Sequence, residues 1–331
     1  MYEIRRYTPA DKQTWDEFVS NSKNATFLLM RDYMDYHADR FSDHSLMFFD
    51  SKGKLVAMLP GNTSVSMQNG KAITAFHSHQ GLTYGGFILS AKTGANEMMM
   101  LFDELISYLK ANSFVTLYYK QIPTIYHLCP SQEDEYALWR HNAIIEVCNI
   151  SATIDLRAMV QPKLAHTKKH RIDTCIQAGY TIHEDDNIDE YWTVLESCLH
   201  TRYGAKPVHT LEEMRLLQSK FPNNIRCITV RDADNHIAAG VILYIMNQVA
   251  HSQYSCATQQ GYSDHAIDYL YYYLKQKFTE HSTVRYLDFG TSNEDSGHYL
   301  NSSLIAHKES FGARSVAYKQ WKIDLTSSQN L

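Results

Sequence analysis

Five segments of this sequence carry side chains whose types and neighbours suit proton transfer or the binding of an anionic group. Asp288 stands in the apolar run Tyr286-Leu287-Asp288-Phe289-Gly290, where a carboxylate is costly unless paired or solvated. It can accept or orient a proton, or make an ordinary cap or loop hydrogen bond. Tyr254 lies near the end of the strand-like stretch Val249–Cys256 and reads either as a proton relay or as a half-buried strand tyrosine. Arg202, Tyr203 and His209 share the polar stretch His200–Thr210, whose path Gly204 and Pro207 fix. Arg202 there can grip a phosphate or carboxylate bidentately, although a plain connector between helices has the same composition. Tyr84-Gly85-Gly86 allows close backbone approach, as the wall of an acceptor cleft or as a bulge. Lys308, between His307 and Glu309, is by itself a solvated surface charge.

Other chemistries are excluded. There is no Gly-x-Ser-x-Gly elbow, no Walker loop and no Gly-x-Gly-x-x-Gly, so serine hydrolase, P-loop and Rossmann dehydrogenase readings have no support. His77-Ser78-His79 would put two imidazoles on one strand face, as a metal site does, but no nearby Asp, Glu or Cys set completes the ligands, and no metal is expected. The six cysteines lack a CxxC pair and read as reduced core thiols of a cytoplasmic protein. The basic run Lys163–Arg171 reads as a solvated helix face.

The elements that must position these residues belong to a well-cored chain. Its 331 residues imply two domains. Hydrophobic residues make up 44% and charged residues 20%, which excludes a disordered or low-complexity protein. A net charge of −5 gives no global case for nucleic-acid binding. No run approaches the about 18 apolar residues of a membrane span, and the N-terminus lacks a signal peptide's apolar stretch.

Leu46–Phe49 and Leu55–Leu59 flank Asp50-Ser51-Lys52-Gly53 as a hairpin. Strands are expected near Ala72–His77 and Tyr84–Leu89, then a long helix carrying Met98, Leu101, Phe102, Leu105 and Leu109 on one face. The strand Phe114–Tyr119, a short helix after Ser131 and the extended segment Ala143–Leu156 follow. The second half repeats the order: strand Tyr180–His183, helices Ile188–His200 and Thr210–Phe221, and strands Arg226–Val230, Ile237–Tyr244 and Val249–Cys256. Then come helix Ser263–Phe278, strand Val284–Phe289, helix Ser302–Phe311 and strand Ser315–Ile323. Tyr108-Leu109-Lys110 before one strand echoes Tyr273-Leu274-Lys275 before another. The halves thus read as an internal duplication at a spacing of roughly 165–175 residues. The fold class is a mixed-sheet α/β protein of two tandem domains, residues 1–158 and 159–331.

The strand end Tyr286-Leu287-Asp288-Phe289-Gly290 is followed by Leu304-Ile305-Ala306-His307-Lys308-Glu309-Ser310-Phe311-Gly312. With the duplicated element order, this is similar to the C-terminal domain of Fem-type peptidyltransferases and to related tandem-GNAT acetyltransferases. Lys168-Lys169-His170-Arg171 leading to Ala178-Gly179-Tyr180 also resembles that group's basic helix. The resemblance implies two GNAT-like domains, the second carrying most catalytic groups, with splayed strands whose backbone N–H groups can meet an oxyanion. It also implies a role for Lys308, as a charge beside an anionic group or the developing oxyanion, with Lys308→Ala expected to spare folding. The catalytic set is then Lys308, Asp288 and Tyr254; the substrate-binding set is Arg202, Tyr203, His209, Tyr84, Gly85 and Gly86.

The acetyl-CoA loop, Arg/Gln-x-x-Gly-x-Gly/Ala, is missing: Thr258-Gln259-Gln260-Gly261-Tyr262 is the nearest stretch. The long coiled-coil arm of aminoacyl-tRNA users is missing too. The resemblance therefore implies acyl transfer from acyl-CoA or another thioester, or from aminoacyl-tRNA, to an amine on a cell-envelope precursor, amino acid or amino sugar. tRNA is a partner only in the aminoacyl case. A catalytically silent module that binds a ligand or partner is the alternative reading, and oligomeric state stays open.

Overall fold

The computed structural model describes residues 2–326 except 69, 163, 165, 186 and 281, and of Gln68 and Tyr203 the backbone alone. The first half runs β1 (Glu3–Arg6), α1 (Lys12–Ser20), α2 (Arg31–Met34), β2 (Ser42–Asp43), β3 (Leu46–Phe49), β4 (Leu55–Leu59), β5 (Asn62–Gln68), β6 (Lys71–His77) and β7 (Ile88–Leu89). It continues with α3 (Ala95–Ala111), β8 (Phe114–Lys120), α4 (Glu133–Arg140) and β9 (Ile144–Asp155). The second half has α5 (His166–Gln177), β10 (Thr181–Glu184), α6 (Ile188–Tyr203), α7 (Leu211–Lys220), β11 (Ile225–Arg231), β12 (Ile237–Met246) and β13 (Val249–Ala257). It ends with α8 (Gln259–Ser263), α9 (Ala266–Thr279), β14 (Tyr286–Thr291), β15 (Asn293–Glu294), β16 (Tyr299–Leu300), α10 (Ser302–Glu309) and β17 (Arg314–Asp324).

Contacts divide the chain into two units. One holds Met1–Asn149, Ser296–His298 and Ala317–Leu331; the other holds Ile150–Asp295 and Tyr299–Val316. In the first unit, α3 lays Met98, Leu101, Phe102, Leu105 and Leu109 into a core with Phe48, Phe76, Leu117 and Ile323, as its helical spacing requires. The β3–β4 turn is fixed by Asp50, whose Oδ1 accepts from the backbone N–H groups of Lys52 and Lys54, both at 2.9 Å. In the second unit, β12 is buried almost throughout, and α9 adds Leu270, Leu274 and Phe278 to a core with Val241, Leu243 and Leu287.

One register recurs in both units. In the first, β6 pairs antiparallel with β5 and parallel with β8, ending at His77 opposite Tyr118. In the second, β13 pairs antiparallel with β12 and parallel with β14, ending at His251 opposite Asp288. Parallel neighbours need a crossover, which α3 and α9 supply. The duplication read from element order is therefore present in the sheet register.

Some elements differ from their sequence reading. β5 had no sequence signal, because Asn62-Thr63-Ser64-Val65-Ser66-Met67-Gln68 is largely polar and exposes Val65 and Met67. Backbone pairing with β6 over its whole length makes it a strand. Tyr84–Leu89 is a strand only at Ile88–Leu89. The helix expected over Ser263–Phe278 breaks at His265, which takes a left-handed φ of 63°. Lys168, read as part of a solvated face, is buried: its Nζ donates to Asp268 at 2.9 Å and lies 3.8 Å from the Phe311 ring centre.

Candidate active site

Asp288 is fully buried on β14, and four donors surround it. Ser151 Oγ and Thr153 Oγ1, both on β9, donate to Oδ1 at 2.5 and 2.8 Å. The Gly290 amide approaches Oδ1 at 3.4 Å. On the other oxygen, His251 Nδ1 donates to Oδ2 at 2.7 Å. Burial alone would raise the carboxyl pKa; the His251 bond and charge, then Ser151 and Thr153, outweigh it and hold the group below its ordinary value. A carboxylate only accepts, so Nδ1 carries the proton and Nε2 is the atom left to exchange one. The imidazole is 12% exposed, so its outer edge reaches solvent while its inner edge is fixed.

The pair sits where the sheet opens. Beyond His251 and Asp288 the register between β13 and β14 stops, while β13 continues alongside β12 to Ala257. A bulge at Gln253 interrupts that second pairing, since Ile242 faces Tyr254 and Leu243 faces Ser252. Gly290, at φ 77°, keeps the far wall low: a Cβ there would lie 3.6 Å from His251 Cε1.

Lys308 closes the same end of β14. Its Nζ donates to the carbonyls of Gly290 at 2.9 Å and Thr291 at 2.8 Å. It is 8% exposed, not the surface charge its flanking residues suggest. Burial brings its pKa down to about 8, opposed by the negative charge of Asp288. Two of its three N–H groups thus fix the strand end that carries Asp288.

A second cluster involves Tyr254 on β13. Its hydroxyl shares a 2.6 Å hydrogen bond with His209 Nδ1 and accepts the His209 amide at 3.3 Å. Trp192 on α6 meets the ring edge-on at 5.4 Å. His209 is held by the capping box of α7, in which Thr210 Oγ1 accepts from the Glu213 amide and Glu213 Oε2 from the Thr210 amide. Arg202, at the end of α6, stacks 3.4 Å over the Tyr262 ring and, with Thr258, lines a cavity of about 400 Å³. Among the described residues, no group of three or more His, Cys, Asp or Glu is placed to hold a metal ion.

No family model matches the chain, and no curated protein matches it in sequence. Solved structures do match in three dimensions. The chain is similar to FemX over 97% of both chains, with a TM-score of 0.67 at 10% identity. It is similar to L-PGS from Bacillus licheniformis, with a TM-score of 0.57 at 12% identity, covering 98% of this chain and 94% of that one. A tandem GNAT protein from the clavulanic acid biosynthesis pathway covers 99% and 100%, with a TM-score of 0.51 at 12% identity. The fold is that of the tandem GNAT acyltransferases.

Within this tandem-GNAT fold, the expected site residues separate into groups. Lys308 and Asp288 come together at the end of β14, and Tyr254 joins His209 further along β13. Arg202 faces the cavity; Tyr203 ends α6, and its side chain lies outside the described residues. Tyr84, Gly85 and Gly86 belong to the first unit and are buried. Tyr84 shares a hydrogen bond with Thr26 Oγ1, the Gly85 amide donates to the Lys120 carbonyl, and a Cβ on Gly86 would strike the Tyr119 hydroxyl at 2.8 Å. They lie just beyond the β6–β8 pairing of the first unit.

Three members of the site had no sequence signal. His251, Ser151 and Thr153 lie inside strand-like runs, where alternation predicts only which face they share. The one available clue was the histidine within the otherwise small and apolar Val249-Ala250-His251-Ser252. His77 and His79 do not share a face, because β6 ends at His77. His77 shares a hydrogen bond with Ser64 and stacks on Tyr118 at 4.7 Å, while His79 packs against His37 and Phe41.

Proposed function

We propose that this protein is an acyltransferase whose second unit moves an acyl or aminoacyl group from an activated thioester or ester to an amine. The observation that carries the reading is the His251–Asp288 pair at the last matched position before β13 and β14 part. An amine must shed a proton to attack an acyl carbon and complete the transfer. His251 Nε2 is the acceptor in this reading, with Asp288 fixing the tautomer and offsetting the imidazolium charge. The exposed backbone of β13 past the divergence supplies N–H donors for the oxyanion. Lys308 positions the β14 end and adds positive charge there. Tyr254, tied to His209, returns a proton to the leaving group.

The donor in this proposal is acyl-CoA, another acyl thioester or an aminoacyl-tRNA. Arg202 and Thr258 line the cavity offered for its polar portion. The acceptor is an amine of an amino acid, amino sugar or cell-envelope precursor; the likeness to FemX and L-PGS supports the last of these. The test is transfer of labelled acyl groups from each donor class to a panel of such amines by the purified protein. Turnover with one class, lost in His251→Ala and Asp288→Asn, is the expected result. Turnover undiminished in both variants overturns the site, and binding of a donor with no transfer to any amine overturns the enzyme.

A further inference from the structure

A second cavity in the second unit, of about 330 Å³, is built around Lys275 of α9. Tyr272, Lys275 and Gln276 reach it from one face of the helix, at i, i+3 and i+4. The other walls are Leu156, which follows β9, Leu164, which precedes α5, and Phe311, which follows α10. Phe311 is buried, and both leucines pack against the core of this unit. The cavity shares no lining residue with the one beside Arg202, and neither His251 nor Asp288 lines it.

Lys275 is held in place but has no countercharge. Its Nζ donates to the Phe311 carbonyl at 3.2 Å, which occupies one of three N–H groups. Among the described residues no carboxylate pairs with it, and burial alone lowers its pKa. Lys168, by contrast, has Asp268 at 2.9 Å. A half-buried ammonium among apolar walls favours an anion that brings its own apolar surface. Lys110, the counterpart of Lys275 in the echo Tyr108-Leu109-Lys110, is exposed. The enclosure therefore belongs to the second unit and not to the repeat.

We propose that this cavity binds a medium-chain carboxylate, its head on Lys275 and its chain against Leu156, Leu164 and Phe311. At roughly the 30 Å³ that one water occupies in the liquid, the volume holds about ten non-hydrogen atoms, the size of octanoate. The carboxylate accepts from the Lys275 donors that the Phe311 carbonyl leaves, and the chain takes apolar wall out of water. The Phe311 ring stacks on Phe289 at 5.6 Å, so the occupant lies behind the ring packed on the residue that follows Asp288.

The test needs neither acyl donor nor acceptor amine, so its failure leaves the acyl-transfer reading untouched. Sodium octanoate is titrated into the full-length protein by isothermal calorimetry, with acetate and octylamine for comparison. One site with a Kd at or below about 1 mM is expected. Acetate and octylamine should each bind at least about tenfold more weakly. Lys275→Met, or Lys275→Gln if the methionine variant fails to fold, removes the charge and should weaken octanoate at least about tenfold. Gln276→Trp, at an exposed position on the rim, should fill the cavity and abolish binding. Octanoate should also shield Lys275, but not Lys110, from reductive methylation mapped by mass spectrometry. No binding, or binding undiminished in the Lys275 and Gln276 variants, overturns the site. Acetate as tight as octanoate overturns the apolar part of the ligand, and octylamine as tight overturns the carboxylate.

Discussion

His251 and Asp288 are the last partners in the parallel register of β13 and β14, and they are also joined through their side chains, Nδ1 to Oδ2 at 2.7 Å. The strand position that ends the backbone pairing thus carries an imidazole backed by a buried carboxylate. Ser151 and Thr153 occupy the remaining carboxylate oxygen from β9. Asp288 is therefore fixed from three strands.

Replacing Asp288 with Asn keeps the shape but removes the acceptor that selects the His251 tautomer. For a general base, kcat should fall about 10²–10⁴-fold with KM nearly unchanged. His251→Ala should give a similar loss, and the double variant should lose little more than either single one, because the pair acts as a unit. Steady-state kinetics of the three variants check this; multiplicative losses would separate the two residues.

Lys308→Ala should destabilise the fold by about 1–3 kcal/mol, because a buried side chain and its hydrogen bonds to the two carbonyls at the end of β14 are lost. The sequence alone led to the opposite expectation, that the substitution spares folding. The folded-state pKa of about 8 lies below the ordinary lysine value of 10.5, so between those values the unfolded chain binds more protons and stability rises with pH. Urea unfolding of wild type and Lys308→Met from pH 7 to 10 should show that rise in the wild type alone, against the common background.

Burial pushes His44 and His77 down to about 4 and His79 to about 3, each from 6.5. The unfolded chain therefore binds more protons as pH falls below 6.5, and stability declines through that window towards pH 3–4. His79 has a φ of 65°, which asparagine tolerates. His79→Asn should fold and show a shallower loss of melting temperature between pH 6.5 and 4. An unchanged slope would remove His79 from the acid response.

A Cβ on Gly85 would lie 1.9 Å from the Ser78 carbonyl oxygen. Gly85→Ala should cost about 1–3 kcal/mol or more through displaced backbone. Gly53→Ala meets nothing within 4 Å but keeps a φ of 74°, so its cost should be near about 1 kcal/mol. The shift in urea midpoint compares them; equal shifts would show that the contact at Gly85 relaxes freely.

Local signals carried much of this protein. The β3–β4 hairpin, the apolar stripe of α3 and the start of α7 at Thr210 each depend on residues a few positions apart, where spacing alone expresses the physics. The duplication was legible for the same reason, since each half repeats strands and helices in one order. Asp288 stood out as a carboxylate in an apolar strand, whereas Lys308 was marked only by the family resemblance.

What the tertiary structure decided is who stands opposite whom. Nothing local joins His251 to Asp288, 37 positions on, or Ser151 to Asp288 across 137; sheet order puts them together. The same holds for Lys168, whose charge reads as solvated in sequence and is buried against Asp268 and Phe311. The two units share one register, and in the first Tyr84-Gly85-Gly86 lies past its end, with the Gly85 amide on the Lys120 carbonyl. Sequence spacing sets which face a side chain takes; burial, protonation and partners follow from the long-range packing that then surrounds it.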